Sequence, residues 1–362
     1  MKFGFLLFLL IPILGHSYVC WRLWHLLPLT PALRWLAVVL ATVILFSFFI
    51  LFAADQSRMP LWLSRTIYEV STSWMVIMLY LFMIFVVLDL GRLCRLVPSS
   101  LLHSNAAMSL GLLAVMAGVL IWGNYQFRHK VRQPLQLASQ GKVEKPIKIA
   151  MLSDLHLGYH IDRNEFARWV DILNAENPDL ILIAGDIIDS NVYPLLAENV
   201  AQEWKRLKAP VYACLGNHEY ISGVISARNF FDEAGIHLLR DTVATVGRLT
   251  IIGRDDRSNR HRKTLKELTA GVSPDTYTIL LDHQPYNLEE AEQCGINFQF
   301  SGHTHYGQVR PINLLTRAMY EDAYGPWTRG NTVYYVSSGM GIWGGKFRIG
   351  TCSEYIIATI KP

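Results

Sequence analysis

The chain has 362 residues, enough for two domains, with 51% hydrophobic and 17% charged residues and a mean hydropathy of +0.24, a balance unusual for a soluble protein. Seven basic and three acidic residues precede Arg128 and 26 of each follow, so the net charge of +4 lies entirely in the apolar half. The neutral remainder gives little basis for nonspecific nucleic-acid binding, and no nucleic-acid partner is expected.

In chain order, four apolar stretches approach or exceed the roughly 20 residues that cross a bilayer. They cover about 3–24, 32–54, 71–90 and 106–122. Trp21, Trp24, Trp35, Trp62, Trp74 and Trp122 fall near segment ends, where amphipathic rings favour the interface. The first stretch resembles a signal peptide in length, but Val19 before Cys20 is a poor lipoprotein cleavage neighbour and no A-x-A site appears. It is expected to stay uncleaved. Four spans put the N-terminus, the second loop and the C-terminal half on one side. That side carries Lys2, Arg58, Arg65, Arg128, Lys130, Arg132 and Lys142; the other carries Arg22, Arg34, Arg92 and Arg95. The positive-inside rule then predicts a multi-pass membrane protein with a cytoplasmic C-terminal domain. The expected division is a transmembrane helical domain over 1–127, a linker over 128–147 and a second domain over 148–362.

From Lys148 the pattern changes to short aliphatic runs alternating with helical periods, which predicts layered α/β structure. Strands are predicted near 147–152, 180–184, 211–215, 250–253, 278–281, 298–300, 332–336 and 355–360, with helices near 165–174 and 197–207. Polar motifs follow five of the strands. They are Asp154-Leu155-His156, Gly185-Asp186-Ile187-Ile188-Asp189, Gly216-Asn217-His218-Glu219, Asp282-His283-Gln284-Pro285 and Gly302-His303-Thr304-His305. Each alone is a weak signal. Together they would converge on one sheet edge, where open α/β sheets place their sites. Core packing needs no such set, and burying it without partners is costly. Two divalent cations would satisfy it.

Ordered this way, DxH, GDxxD, GNH(D/E), an isolated His and GHxH, the motifs resemble the calcineurin-like metallophosphoesterase superfamily, from about Lys148 onward. The resemblance implies two mixed β-sheets packed face to face with helices outside. It implies that Asp154, His156, Asp186 and His305 bind one metal, and that Asp186 bridges to a second completed by Asn217, His283 and His303. It gives His218 contact with the substrate phosphate and protonation of the leaving oxygen. Such mixed ligands suit manganese, iron or zinc. Asp189 and Glu219 are expected to orient ligand imidazoles, with Asp189 equally suited to capping the segment that follows.

Beyond the motifs, Gly344-Gly345-Lys346-Phe347-Arg348 reads either as a phosphate-approaching loop or as turns with solvated basic residues. The basic run Arg254, Arg257, Arg260, Arg262 and Lys263 reads as a solvated loop, with anionic lipid or substrate phosphate as functional alternatives. The five cysteines lack CxxC spacing and read as unpaired buried thiols.

These features predict a membrane-bound, dinuclear-metal phosphoesterase acting on a lipid-linked substrate. Membrane-anchored members of the superfamily resemble enzymes that cleave UDP-2,3-diacylglucosamine, the first named candidate. The alternative is a phosphatase or phosphodiesterase on a soluble or envelope substrate, with the helices as anchor. A noncatalytic scaffold is disfavoured, because every motif residue is present.

Overall fold

A computed structural model describes residues 2–53 and 58–362, with side chains at 10–51 and from Arg58 onward. Ala54 and Asp55, which entered the second predicted span and the charge count, lie outside the described residues, as do the side chains of Lys2 and Phe3. The chain divides into two compact units. One holds Met1–Gly123 with Gly344–Lys346, and the other holds Asn124–Trp343 with Phe347–Pro362.

The first unit is helical: α1 (Lys2–Leu26), α2 (Pro31–Ala53), α3 (Leu61–Leu93) and α4 (Ala106–Arg128). Among the described residues three helices are long and apolar enough to cross a bilayer, Pro31–Leu51, Leu61–Leu93 and Ala106–Arg128. The helix α1 forms over the first predicted stretch. Proline suits the first turn of α2, where its missing N–H costs nothing. Asn105 caps α4, its Oδ1 accepting from Met108 N at 2.9 Å. Val19, Leu26, Met78, Leu81, Phe85, Leu112 and Met116 form a small internal core. Leu40, Val43, Leu110 and Ile121 instead lie exposed on the helices. So much outward apolar surface is stable in lipid rather than water. Arg22, counted above as a loop charge, is instead buried, and its Nε donates to Asp89 Oδ2 at 2.8 Å. Pairing makes such a charge tolerable inside a helical bundle.

The second unit contains two six-stranded sheets. Its strands are β1 (Lys130–Ala138), β2 (Ile147–Leu152), β3 (Leu180–Ala184), β4 (Val211–Cys214), β5 (His237–Leu238), β6 (Thr242–Val246), β7 (Leu249–Gly253), β8 (Tyr277–Leu281), β9 (Phe298–Ser301), β10 (Gly325–Arg329), β11 (Thr332–Val336) and β12 (Ser353–Lys361). The orders are β1-β12-β2-β3-β4-β5 and β10-β11-β9-β8-β7-β6. Both sheets are mixed: β2, β3 and β4 run parallel, as do β7, β8 and β9, while β12 is antiparallel to β2 and β6 to β7. One core lies between the sheets, with Ile149, Met151, Leu182 and Ile356 from the first meeting Ile251, Ile279, Phe298 and Phe300 from the second. Helix α5 (Arg163–Glu176) covers the outer face of the first sheet through Phe166, Trp169 and Leu173. Leu265, Leu268 and Ala291 cover the outer face of the second. The result is the expected four-layer sandwich.

Three sequence expectations differ from the fold. The helix predicted near 197–207 is two short pieces, Tyr193–Ala197 and Ala201–Trp204. The stretch read as a linker contains β1, an edge strand holding Pro134 and polar residues. An edge tolerates both, so its composition imitates a linker. All five cysteines are free, but only Cys20 and Cys214 are buried; Cys294 and Cys352 are half-buried and Cys94 is exposed.

Candidate metal centre

The polar motifs occupy the C-terminal ends of parallel strands from both sheets. Asp154 and His156 follow β2, Asp186 follows β3 and Asn217 follows β4; His283 follows β8, and His303 and His305 follow β9. Asp154, His156, Asp186, His303 and His305 all take positive φ, between 47° and 69°. That region is strained for non-glycine residues and persists only where the surroundings enforce it. Five such positions on one edge mark it as functional rather than merely structural. The neighbouring glycines permit the approach. A Cβ on Gly185 would lie 2.8 Å from His283 Nδ1, and one on Gly216 would lie 2.1 Å from Asp186 Oδ1.

The seven side chains converge in two groups. In the first, His156 Nε2 lies 3.0 Å from His305 Nε2, which is 3.4 Å from Asp154 Oδ1. In the second, His283 Nε2 lies 3.1 Å from both Asp186 Oδ2 and Asn217 Oδ1, and its ring centroid is 5.1 Å from that of His303. Asp186 Oδ2 is also 3.7 Å from His156 Nε2, so one carboxylate oxygen faces both groups. Ligand-type atoms of Asp154, His156 and His305, and those of Asp186, His283 and His303, each fall within 4.8 Å of one another.

The surroundings fix which imidazole nitrogens point inward. His283 Nδ1–H donates to the Ala184 carbonyl at 2.8 Å, leaving Nε2 with its lone pair toward Asp186 and Asn217. His156 Nδ1 lies 3.3 Å from Asp189 Oδ1. Its Nε2 then meets Nε2 of His305, whose Nδ1 is buried without a hydrogen-bond partner. Buried imidazole nitrogens grouped around a shared carboxylate are donors that divalent manganese, iron or zinc accept, so the residues fit such ions.

Electrostatics point the same way. Burial disfavours charge on Asp186, yet His283 and His218 outweigh it and hold its pKa well below the usual carboxylate range. Burial also opposes the cations of His156 and His283. For His156 the carboxylates of Asp189 and Asp186 win, and for His283 that of Asp186 wins, so both pKa values rise. Burial and His283 lower His303 to about 4, and burial with His156 holds His305 well below the ordinary imidazole value.

Supporting residues divide differently from expectation. Asp189 does contact imidazoles, with Oδ1 3.3 Å from His156 Nδ1 and 3.5 Å from His218 Nδ1. Glu219 does not. It accepts from the backbone N–H of Gly216, Asp186, Ile187 and Ile188 at 2.7–3.1 Å, tying the β3 and β4 loops together. Burial and Asp186 push its pKa up to about 7. His218 is buried, and its Nδ1–H donates to the Asp189 carbonyl at 2.9 Å.

Of the glycine-rich stretch, Arg348 is fully buried and donates to the carbonyls of His305, Ser338, Gly339 and Gly341. It braces the loop behind His305, its guanidinium enclosed by those carbonyls. Lys346 groups with the helical unit and pairs with Glu69. The basic run is not a uniformly solvated loop. Arg254 is buried, with Nη1 2.8 Å from Glu290 Oε2 and 3.3 Å from Asp282 Oδ2, and Arg262 Nη1 donates to Asp282 Oδ1 at 3.1 Å. Charge spacing alone could not reveal that Asp282, beside a ligand motif, neutralises them. Three aromatic residues near the site went unnoticed in the sequence. Trp343 has its ring centroid 6.5 Å from His218, Tyr320 lies 6.2 Å from His303, and Tyr286 lies 4.9 Å from Tyr320. The only available signal was Tyr286 directly following the Asp282-His283-Gln284-Pro285 motif.

Residues 147–307 match the family described as calcineurin-like phosphoesterase. An uncharacterized metallophosphoesterase of Aquifex aeolicus is 32% identical over 225 residues, covering 59% of this chain and 85% of that protein. One from Campylobacter jejuni is 30% identical over 227 residues, 60% of either chain, so this chain spans under two thirds of that relative. A Danio rerio protein named transmembrane protein with metallophosphoesterase domain is 27% identical over 330 residues, 83% of this chain and 74% of the other. That similarity is longer than the second unit and so reaches into the helical half. With the strained, convergent edge and a 32% identical relative covered over most of its length, the chain belongs to the calcineurin-like metallophosphoesterases.

Proposed function

We propose that this chain is a membrane-bound phosphoesterase that uses two divalent metal ions to hydrolyse a phosphoester or pyrophosphate bond in a lipid-linked substrate. One observation carries the reading: Asp186 Oδ2 faces His283 Nε2 at 3.1 Å and His156 Nε2 at 3.7 Å, the placement a shared ligand needs. Asp154, His156, Asp186 and His305 would hold one ion, and Asp186, Asn217, His283 and His303 the other. Bound there, such ions supply charge that acidifies water and neutralises phosphoryl oxygens.

The chain's own groups do the rest. With Nδ1–H committed to the Asp189 carbonyl, His218 exchanges protons only at Nε2, which in the cationic form donates to the leaving oxygen. Asp186 Oδ1 accepts from His218 N at 2.8 Å, so the shared ligand also fixes the acid's backbone. Glu219 holds both loops rigid, as catalytic geometry requires. The apolar helices favour a lipid-linked substrate, because a bilayer raises the effective concentration of a molecule confined to it. A UDP-2,3-diacylglucosamine-like pyrophosphate is the first candidate. The Arg128, Lys130 and Arg132 cluster after the helices favours a cytoplasmic catalytic domain.

The test is an assay of the full chain in detergent, with manganese or zinc, against lipid-linked nucleotide sugars, phospholipids and aryl phosphates. Elemental analysis accompanies it. Two metals per chain and metal-dependent turnover greatest on the lipid-linked compounds are expected. Failure to take up metal, or to turn over any ester, would overturn the reading. Protease cleavage of the catalytic domain from outside intact spheroplasts would reverse the orientation alone.

A further inference from the structure

The loop after β7 carries five basic residues, and the fold sorts them. Arg254 and Arg262 pair with Asp282, and Lys263 N donates to Asp241 Oδ2 at 2.9 Å. Among the described residues, Arg257 and Arg260 make no hydrogen bond or ion pair. Arg257 alone of these two is held in place. Its guanidinium carbon lies 4.3 Å from the centroid of the Tyr286 ring. The Tyr286 hydroxyl donates to the Tyr320 hydroxyl at 3.1 Å, and the Tyr320 ring stands edge-on to His303 with centroids 6.2 Å apart.

The backbone beneath Arg257 is equally fixed. Buried Asp256 accepts from Ser258 N at 2.8 Å and Ser258 Oγ at 2.6 Å, on the far side of Arg257. Its other oxygen accepts from Gln284 Nε2 at 2.8 Å, one residue beyond His283. Both the loop and the side chain are thus referenced to the metal edge, one through Gln284 and one through Tyr320. The only carboxylate adjoining Arg257 in sequence is already committed. A guanidinium resting over a ring, with no hydrogen bond or ion pair of its own, keeps its N–H fork for a planar or tetrahedral anion.

We infer that Arg257, perched on Tyr286 at the rim of the metal edge, binds a second anionic group of the phosphate class carried by the substrate. Tyr320 and Tyr286 set its separation from the scissile phosphoester. This rests on the metal-edge reading above, and it adds a substrate requirement: an anion beyond the reacting one, spaced by aromatic rings. A simple monoester would lack it.

The test is calorimetric binding of AMP, ADP and adenosine 3′,5′-bisphosphate to the manganese-loaded full chain in detergent. At least one of the two-phosphate probes should bind about tenfold more tightly than AMP, the size of one charge-assisted contact. Arg257→Gln should abolish that preference and leave AMP affinity within about twofold. Arg257→Lys should restore only part of it, and Tyr320→Phe should weaken it while keeping the ring. The inference falls if neither probe outbinds AMP, or if Arg257→Gln keeps the preference or weakens all three equally. Turnover of p-nitrophenyl phosphate by the same samples separates the two readings. A chain that hydrolyses nothing yet keeps the Arg257-dependent preference overturns the catalytic reading only; a chain that hydrolyses the ester without the preference overturns this inference only.

Discussion

Two buried charge clusters lie side by side in the catalytic unit, and they are built on opposite principles. Around Asp255 and Asp282 every carboxylate meets a partner from the chain. Asp255 takes Arg240 Nε and the Tyr220 hydroxyl at 2.8 Å, and Asp282 takes Arg254 and Arg262. Around Asp154 and Asp186 the neighbours are imidazoles and an amide, with His156 meeting His305 and His283 meeting Asn217. The first cluster is electrically complete and serves architecture. The second is strained at five backbone positions and sets its carboxylates among imidazoles, the contrast expected between an architectural cluster and the proposed metal centre.

The sharpest way to break this contrast is Asp186→Asn. Turnover of every substrate should vanish and metal content should fall, whatever the leaving group; full metal occupancy in this variant would dissolve the distinction. His218→Ala should lower kcat by about 10²–10⁴-fold with metal content retained. Its deficit should shrink for nitrophenyl esters, whose leaving groups need no proton. Equal slowing across a leaving-group series would remove the acid role and leave His218 a structural residue.

The paired cluster should respond in stability instead. Arg254→Met leaves buried Asp282 with Arg262 alone, and should cost about 3 kcal/mol, the low end for a broken buried pair. Metal stoichiometry of the folded fraction should not change, as denaturant melts with elemental analysis would show. The smallest effect concerns Asp322, a carboxylate with neither arginine nor imidazole. Burial raises its pKa to about 6. A raised carboxyl favours folding while protonated, below its unfolded value, and that contribution is lost as pH rises through about 6. Asp322→Asn should therefore raise the unfolding temperature at pH 8 and leave it unchanged at pH 4. A gain at both pH values would point to packing instead.

Much of the site was legible because ligands occupy strand ends, and strands of aliphatic residues have a strong period. The predicted strands 147–152, 180–184 and 332–336 match β2, β3 and β11 at both ends, so the motifs after β2 and β3 were placed correctly. What escaped reading depends on distant partners. Arg348 looks like any solvated arginine until four carbonyls surround it. Glu219 looks like an imidazole support until the loops it ties are folded. The edge strand β1 carries the proline and charges of a linker, and only its pairing with β12 reveals it. Tyr320 lies far along the chain from His303's motif partners, so no spacing rule connects it to the edge.

That edge strand has a mechanical consequence. Only His129 separates the end of α4 from β1, and β1 joins the sheet through β12 alone, in parallel register from Lys130 opposite Ser353 to Ala138 opposite Lys361. Load along the strand is shared over nine residue pairs in shear rather than opening them one at a time. The strand therefore behaves as a clasp, closed on a segment more than two hundred residues further along the chain.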